Sequence, residues 1–212
     1  MRQETGSNQF QNIISISVRL QSSGDPFLIA DHIPPSAHES DAFLRVELLT
    51  KRAALVPRSV LEQSSAEREL AAMGIMVDGG DDEVLMVEDR DLISLLVVPR
   101  GVKSYMESNF SGRYEFKTPL LHRPVCADAH MLLDVCEGLT TIKVYEKGWR
   151  LQFVDIYETP SIASAVYWAQ RLSSVLNLGR SSLYIYRCSG ALDRLLGSNF
   201  KKILYANNKR SV

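Results

Sequence analysis

Residues 140–187 carry the pattern that most limits what this chain can fold into, because they predict two strands, a helix and another strand in a fixed order. TTIKVYE and WRLQFVDIYE are rich in β-branched and aromatic residues, and Lys147-Gly148 between them suits a two-residue hairpin turn. Thr159-Pro160 offers a capping side chain and a first-turn proline, and apolar residues then keep helical spacing as far as Gly179. SLYIYR, at 182–187, predicts the next strand.

A short helix in ALDRLL and a strand in FKKILYA extend this pattern, so the predicted C-terminal order is β-β-α-β-α-β. A hairpin followed by helices and strands predicts an α+β fold, with a mixed or antiparallel sheet and helices packed mainly on one face. We expect residues 11–212 to form a single α+β domain with a weak division near 99–112. The polar, unpatterned residues 1–10 predict a disordered tail.

The N-terminal half begins with a clear strand and continues with an ambiguous segment. NIISISVRL alternates apolar and polar residues, which is typical of a half-buried strand. From Asp41, the spacing of Phe43, Val46, Leu49 and Ala53 fits a helix, although Leu44, Val46 and Leu48 also alternate as in a strand. The content of alanine, arginine and leucine favours the helix, which Pro57 would end.

The middle of the chain predicts a helix, a hairpin and two further strands. VLEQSSAERELAAM is a helical sequence, and Gly74 can supply its left-handed stop. The glycine- and aspartate-rich stretch from Asp78 to Asp82 separates two short apolar runs and predicts a hairpin turn. LISLLVV and YEFKTPLL predict strands, and residues 99–112 between them predict a loop.

Composition and cysteine usage predict a cytoplasmic protein of ordinary globular type. Apolar residues make up 45% of the chain and charged residues 23%, which excludes a fibrous or wholly disordered class. Three cysteines are few and odd in number, which favours a reducing compartment over a secreted one. The first residues lack a signal-peptide pattern, and no run approaches the roughly 20 apolar residues of a membrane-spanning helix.

Two blocks of opposite charge divide the chain. Residues 62–91 hold ten acidic residues against two arginines, a net charge of −8, whereas residues 180–212 hold seven basic residues against one aspartate, a net charge of +6. Cationic and aromatic side chains together can hold a nucleic-acid backbone, an anionic membrane surface or an acidic protein segment. A solvated surface is the alternative. The predicted contact residues are Arg180, Tyr184, Tyr186, Arg187, Arg194, Lys201, Lys202, Lys209 and Arg210.

A possible zinc site is the second candidate. The side chains of His122, Cys126, His130 and Cys136 are all of types that bind zinc, and they fall within 15 residues. Pro124 interrupts the segment and the paired spacing of zinc sites is missing, so a helix over 127–137 with buried cysteines is the favoured alternative. The acidic turn at 78–83 lacks the spacing of a calcium loop. We therefore expect no cofactor, with zinc as the alternative.

The sequence contains no recognisable catalytic or nucleotide-binding motif: G-x-S-x-G, the P-loop, a G-x-G-x-x-G after a strand and H-E-x-x-H are all absent. We expect a non-enzymatic interaction or assembly subunit that self-associates or binds a protein partner, possible forms being part of a nucleic-acid-containing complex or a viral matrix or capsid protein. The alternatives are a nucleic-acid-binding subunit that uses residues 180–210 and a metal-dependent hydrolase or transferase.

Overall fold

The structure, a computed structural model, divides the chain into two compact units, residues 1–121 (unit 1) and residues 122–212 (unit 2). It describes residues 12–20, 28–39, 42–123, 130–148, 150–178, 181–187, 191–197, 200 and 202–205. The tail expected at residues 1–10 lies outside these ranges. The single domain over 11–212 stays a prediction, since two compact units can still fold as one domain.

Unit 1 contains two small sheets among its described residues. Its elements are β1 (Ile13–Arg19), α1 (Pro35–Glu39), β2 (Phe43–Leu49), β3 (Ala53–Pro57), α2 (Arg58–Leu61), α3 (Ala66–Ala72), β4 (Asp82–Asp89), β5 (Leu92–Pro99), α4 (Val102–Phe110) and β6 (Tyr114–Lys117), with 3-10 turns at Ile29–His32 and Pro119–Leu121. Strands β1, β2 and β6 are parallel, with β2 in the middle. Strands β3, β5 and β4 are antiparallel, with β5 in the middle.

The helix predicted from Asp41 to Pro57 is wrong, because the chain forms β2 and β3 there. In β2, Leu44, Val46 and Leu48 are fully buried, and Glu47 and Leu49 on the other face are nearly so. A strand covered on both faces loses its apolar–polar alternation and can imitate helical spacing.

Three further predictions in unit 1 need correction. The predicted helix over 60–73 is two short ones, and Ser65 starts the second by accepting a hydrogen bond from the Arg68 N–H. The hairpin turn lies between β4 and β5, not at residues 78–82. The predicted loop at 99–112 contains α4, whose Val102, Met106 and Phe110 recur every fourth residue and are buried. The strands β1, β5 and β6 confirm their predictions.

Unit 2 contains one mixed sheet of five described strands, in the order β11-β10-β7-β8-β9. Its elements are β7 (His130–Cys136), β8 (Leu139–Glu146), β9 (Arg150–Glu158), α5 (Ile162–Val175), β10 (Ser182–Ile185), α6 (Ala191–Leu196) and β11 (Lys202–Tyr205). β7, β8 and β9 are antiparallel neighbours, whereas β10 runs parallel to both β7 and β11. The α+β class and the C-terminal order β-β-α-β-α-β are therefore confirmed.

The two faces of this sheet differ in character. Met131, Leu133 and Ile142 point to the face that α5 and α6 cover, where they pack in one core with Leu172 and Leu196. The alternate residues His130, Asp134 and Lys143 are buried on the other face. The helix predicted for 127–137 is wrong where the chain is described, because residues 130–136 form a strand that is buried along most of its length.

The helix α5 begins two residues later than predicted. Ser161, rather than Thr159, is its N-cap: the Ser161 hydroxyl accepts from the Ser164 N–H, and the Ser164 hydroxyl accepts from the Ser161 N–H. No helix in the described part of the chain is both long and apolar enough to cross a membrane.

Candidate functional site

A buried polar network occupies the sheet face of unit 2 opposite α5. Beyond the end of β10, the Tyr186 N–H donates to the Leu133 carbonyl at 2.7 Å and the Val135 N–H donates to the Arg187 carbonyl at 3.3 Å. These bonds continue the parallel pairing of β10 with β7, so that Arg187 comes to lie alongside Asp134.

Asp134 is the centre of this network, and none of its side chain is exposed. Arg187 Nε donates to one carboxylate oxygen at 2.7 Å, and His122 Nδ1 lies 2.6 Å from the other. Lys143 Nζ donates to the backbone carbonyl of His122 at 2.5 Å. The His122 ring stacks on the ring of Tyr186, with their centroids 4.3 Å apart. We call these five residues the Asp134 network.

The network keeps the Asp134 carboxylate ionised. Burial by itself would raise the pKa of Asp134, but the hydrogen bond from His122, the charge of Arg187 and the hydrogen bond from Arg187 outweigh it and lower the pKa. A carboxylate that holds a histidine ring is also the arrangement that orients a general base. Here, however, the carboxylate is shared with an arginine, as in a buried structural ion pair.

The predicted basic surface is only partly at the surface. Tyr184 is buried in a small apolar cluster with Leu132 and Tyr145, and Tyr186 and Arg187 belong to the Asp134 network. Arg194 and Lys202 are exposed. The remaining predicted residues, Arg180, Lys201, Lys209 and Arg210, lie outside the described residues.

The predicted zinc residues do not gather around one point where they are described. His130 and Cys136 are the first and last residues of β7, and six residues of strand separate them by roughly 20 Å. They cannot bind the same ion, so these residues give the zinc hypothesis no geometric support. His122 is held against Asp134, and Cys126 lies outside the described residues.

Sequence reasoning did not identify Asp134 and Lys143 as members of a site. Both are charged, and both are almost completely buried in the sheet of unit 2. A single charged residue inside a largely apolar strand is a usable signal, because charges are rarely buried without a partner. The signal was hidden in β7 because a helix was predicted there.

A second candidate site is a groove in unit 1 between α3 and the start of β4. Gly74, at φ 75°, stops α3, and the Ile75 N–H returns to the Leu70 carbonyl at 2.9 Å. The chain then runs over the sheet to a turn in which Asp78 accepts from the Gly80 N–H at 2.8 Å. The Asp78 N–H donates in turn to the Asp82 carboxylate at 2.8 Å.

This α3–β4 groove has a volume of about 540 Å³. Its lining mixes aliphatic side chains with three acidic ones and one basic one, and it includes Glu67, Ala71, Ile75, Val77, Asp82, Glu83, Val84 and Arg100. Met76 also lines the groove and is 82% exposed, which is unusual for a side chain of its size and polarity. A groove with an apolar floor and charged walls can bind a protein segment.

The two units carry opposite net charges. Residues 1–121 contain 18 acidic and 12 basic residues, a net charge of −6, and residues 122–212 contain 7 acidic and 12 basic residues, a net charge of +5. The total of −1 therefore hides a difference in net charge between the two units.

Comparison with solved structures shows the fold. The chain is similar to a protein of unknown function from Bacteroides thetaiotaomicron that is described as having an actin-like ATPase fold. The similarity has a TM-score of 0.65 at 14% sequence identity and covers 91% of this chain and 90% of the other. At this identity, the likeness establishes the shared fold and carries no activity with it.

Two weaker likenesses are to components of bacterial assemblies. One is to a structure of the PilM–PilN type IV pilus biogenesis complex, with a TM-score of 0.48, 10% identity and coverage of 80% of this chain and 70% of that one. The other is to the cytoplasmic domain of EpsL, from the type II secretion system of Vibrio cholerae, with a TM-score of 0.41, 13% identity and coverage of 88% and 93%. Both are too distant to bear on function. The sequence matches no protein-family model and no curated protein.

Proposed function

We propose that this chain is a non-enzymatic assembly subunit that associates head to tail, with unit 1 of one copy bound to unit 2 of the next. The observation that carries the proposal is the division of charge, −6 in unit 1 and +5 in unit 2. When one surface of a copy binds a different surface of the next copy, the interface is heterologous, and such interfaces produce rings or open chains of copies.

Unsatisfied charges of both signs are available at the surface. In unit 2, Lys147, Arg171, Arg194 and Lys202 are exposed and have no ion-pair partner among the described residues. In the described part of unit 1, Glu67 and Asp81 are exposed, and their carboxylates likewise have no cationic partner. Complementary surface charge of this kind speeds encounter and fixes the orientation of the partners.

The Asp134 network supports a structural role rather than a catalytic one. Its carboxylate is buried, and each of its oxygens contacts a cation or a histidine ring. The sparse and odd number of cysteines, three in the chain, fits the reducing, cytoplasmic location that we propose for the protein.

Sedimentation velocity over a range of salt concentrations tests this function. Salt screens exposed charges, so we expect the mean mass to fall as sodium chloride is raised from about 50 mM to about 500 mM. Self-association in the absence of nucleic acid would favour this function over the alternative, nucleic-acid binding by residues 180–210. A protein that sediments as a monomer at every salt concentration would contradict the proposal.

A further inference from the structure

We propose that the α3–β4 groove is the place on unit 1 where the second copy docks, and that it receives an apolar side chain flanked by a lysine or an arginine. This inference rests on the proposed head-to-tail association and adds to it the site and the chemistry of the segment that is bound. The shape of the groove, its lining and its unbalanced charge each support it.

The walls of the groove are held in place by internal bonds. Both terminal guanidinium nitrogens of Arg52 contact the Asp82 carboxylate, at 3.0 and 2.5 Å, and one of them also donates to the Met76 carbonyl. On the other side, Arg100 Nε donates to the Gly80 carbonyl at 2.9 Å, and its Nη2 donates to the Gly79 carbonyl. A partner would therefore meet a preformed surface and would not have to order it.

The lining of the groove suits an aliphatic or aromatic side chain. Ile75, Val77 and Val84 remain partly exposed along it, although each also packs against the core under α3. The exposed Met76 adds a flexible, polarizable side chain, which adapts to partners of different shape. The volume of about 540 Å³ lies within the range of sites that bury a ligand or a few side chains.

The groove carries a net negative charge after its internal ion pair is counted. Arg52 pairs with Asp82, the Glu83 carboxylate accepts from the Lys103 N–H at 3.0 Å, and Arg100 donates to backbone carbonyls. The three carboxylates at the groove, those of Glu67, Asp82 and Glu83, therefore exceed the two guanidinium groups by one negative charge. Glu67 is exposed and has no partner among the described residues. It therefore favours a cation next to the bound apolar group. Unit 2, with its net charge of +5, supplies such cations on a second copy.

Two variants of the groove and one matched control test the inference in the full chain. Glu67→Lys reverses the charge of the carboxylate that has no partner at the groove. Met76→Ser removes an apolar side chain that is too exposed to contribute to the stability of the fold. Glu69→Lys is the control: it makes the same change of charge in the same first turn of α3, but Glu69 does not line the groove. Circular dichroism confirms that all three fold.

At about 150 mM salt, we expect Glu67→Lys to weaken self-association about three- to tenfold and Met76→Ser a few-fold. Glu69→Lys should change it by less than about twofold, because salt screens charges that are not in contact. If the wild type associates and all three variants associate equally well, the groove is not the docking site and the proposed function stands. If the wild type does not associate, both the function and the docking site are wrong.

Discussion

Arg187 donates a 2.7 Å hydrogen bond from Nε to Asp134 Oδ1, although 53 residues separate the two in the sequence. The bond joins the end of β10 to the end of β7, and His122 contacts the other oxygen of the same carboxylate. Three segments of unit 2 therefore depend on one buried charge. A group of this kind stabilises a fold only while every partner is present.

The first prediction is that Asp134→Ala destabilises the protein by about 3 kcal/mol or more. The substitution leaves Arg187 and His122 next to each other without the buried carboxylate, and removing one partner of a buried ion pair costs about 3–5 kcal/mol. Urea denaturation followed by circular dichroism measures the loss of stability.

Glu146→Ala is the control for this prediction. Glu146 also pairs with an arginine, Arg150, but the contact is 3.7 Å long and both side chains are more than half exposed. Exposed pairs contribute little, so the change should stay within about 0.5 kcal/mol. Equal losses from the two substitutions would show that the Asp134 network does not stabilise unit 2.

The second prediction concerns pH. The pKa of Asp134 is lower in the folded protein than its usual value, so the carboxylate contributes stability above the pKa of an unfolded aspartate, about 3.9. This contribution is lost as the pH falls through the lower pKa of the folded state. The difference in unfolding free energy between the wild type and Asp134→Ala should therefore be constant near pH 5 and should narrow below about pH 4.

Urea denaturation of both proteins between about pH 5 and pH 2 checks this second prediction. Subtracting one curve from the other cancels the titration of the carboxyl groups that the two proteins share. A difference that widens as the medium becomes more acidic would mean that the pKa of Asp134 is raised, not lowered, in the folded protein.

The hairpin of β8 and β9 was predictable from sequence because its determinants are local. A glycine at the position that requires a positive φ, with β-branched and aromatic residues on both sides, specifies the turn within a few residues. Gly148 has a φ of 82°, as expected, but the predicted two-residue connection is wrong, because three residues lie between the end of β8 at Glu146 and the start of β9 at Arg150. The helix α5 was predictable for the same reason, since its apolar stripe lies within the segment, although its N-cap is Ser161 and not the predicted Thr159.

The strands β2 and β7 and the Asp134 network could not be predicted in the same way. Both strands are buried on both faces, so burial by the rest of the fold erases the alternation that identifies a strand. The pairing of Arg187 with Asp134 depends on β10 lying parallel to β7, which is a property of the topology and not of either segment. The basic stretch therefore predicted a solvent-exposed surface, although the Arg187 side chain donates a hydrogen bond to the buried Asp134.

The third prediction is that Gly148→Ala destabilises the protein by about 1 kcal/mol. The new side chain would meet no atom within 4 Å, so the cost comes from the positive φ alone, which disfavours residues with a Cβ. Gly79→Ala is the control, because the site is equally open and its φ is outside the left-handed range. Thermal unfolding should show a clear loss for Gly148→Ala and almost none for Gly79→Ala.

The last prediction tests the difference in charge between the units by making the same substitution, lysine to glutamate, once in each unit. Lys202 in unit 2 and Lys51 in unit 1 are both exposed, and neither has an ion-pair partner among the described residues. Lys202→Glu lowers the positive charge of unit 2, whereas Lys51→Glu makes the negative unit 1 more negative. Under head-to-tail association, the first weakens self-association about two- to fivefold and the second strengthens it slightly. Sedimentation velocity at low salt measures both effects. Because both variants change the net charge of the chain by the same amount, an equal effect of the two would show that total charge, rather than its division between the units, controls association.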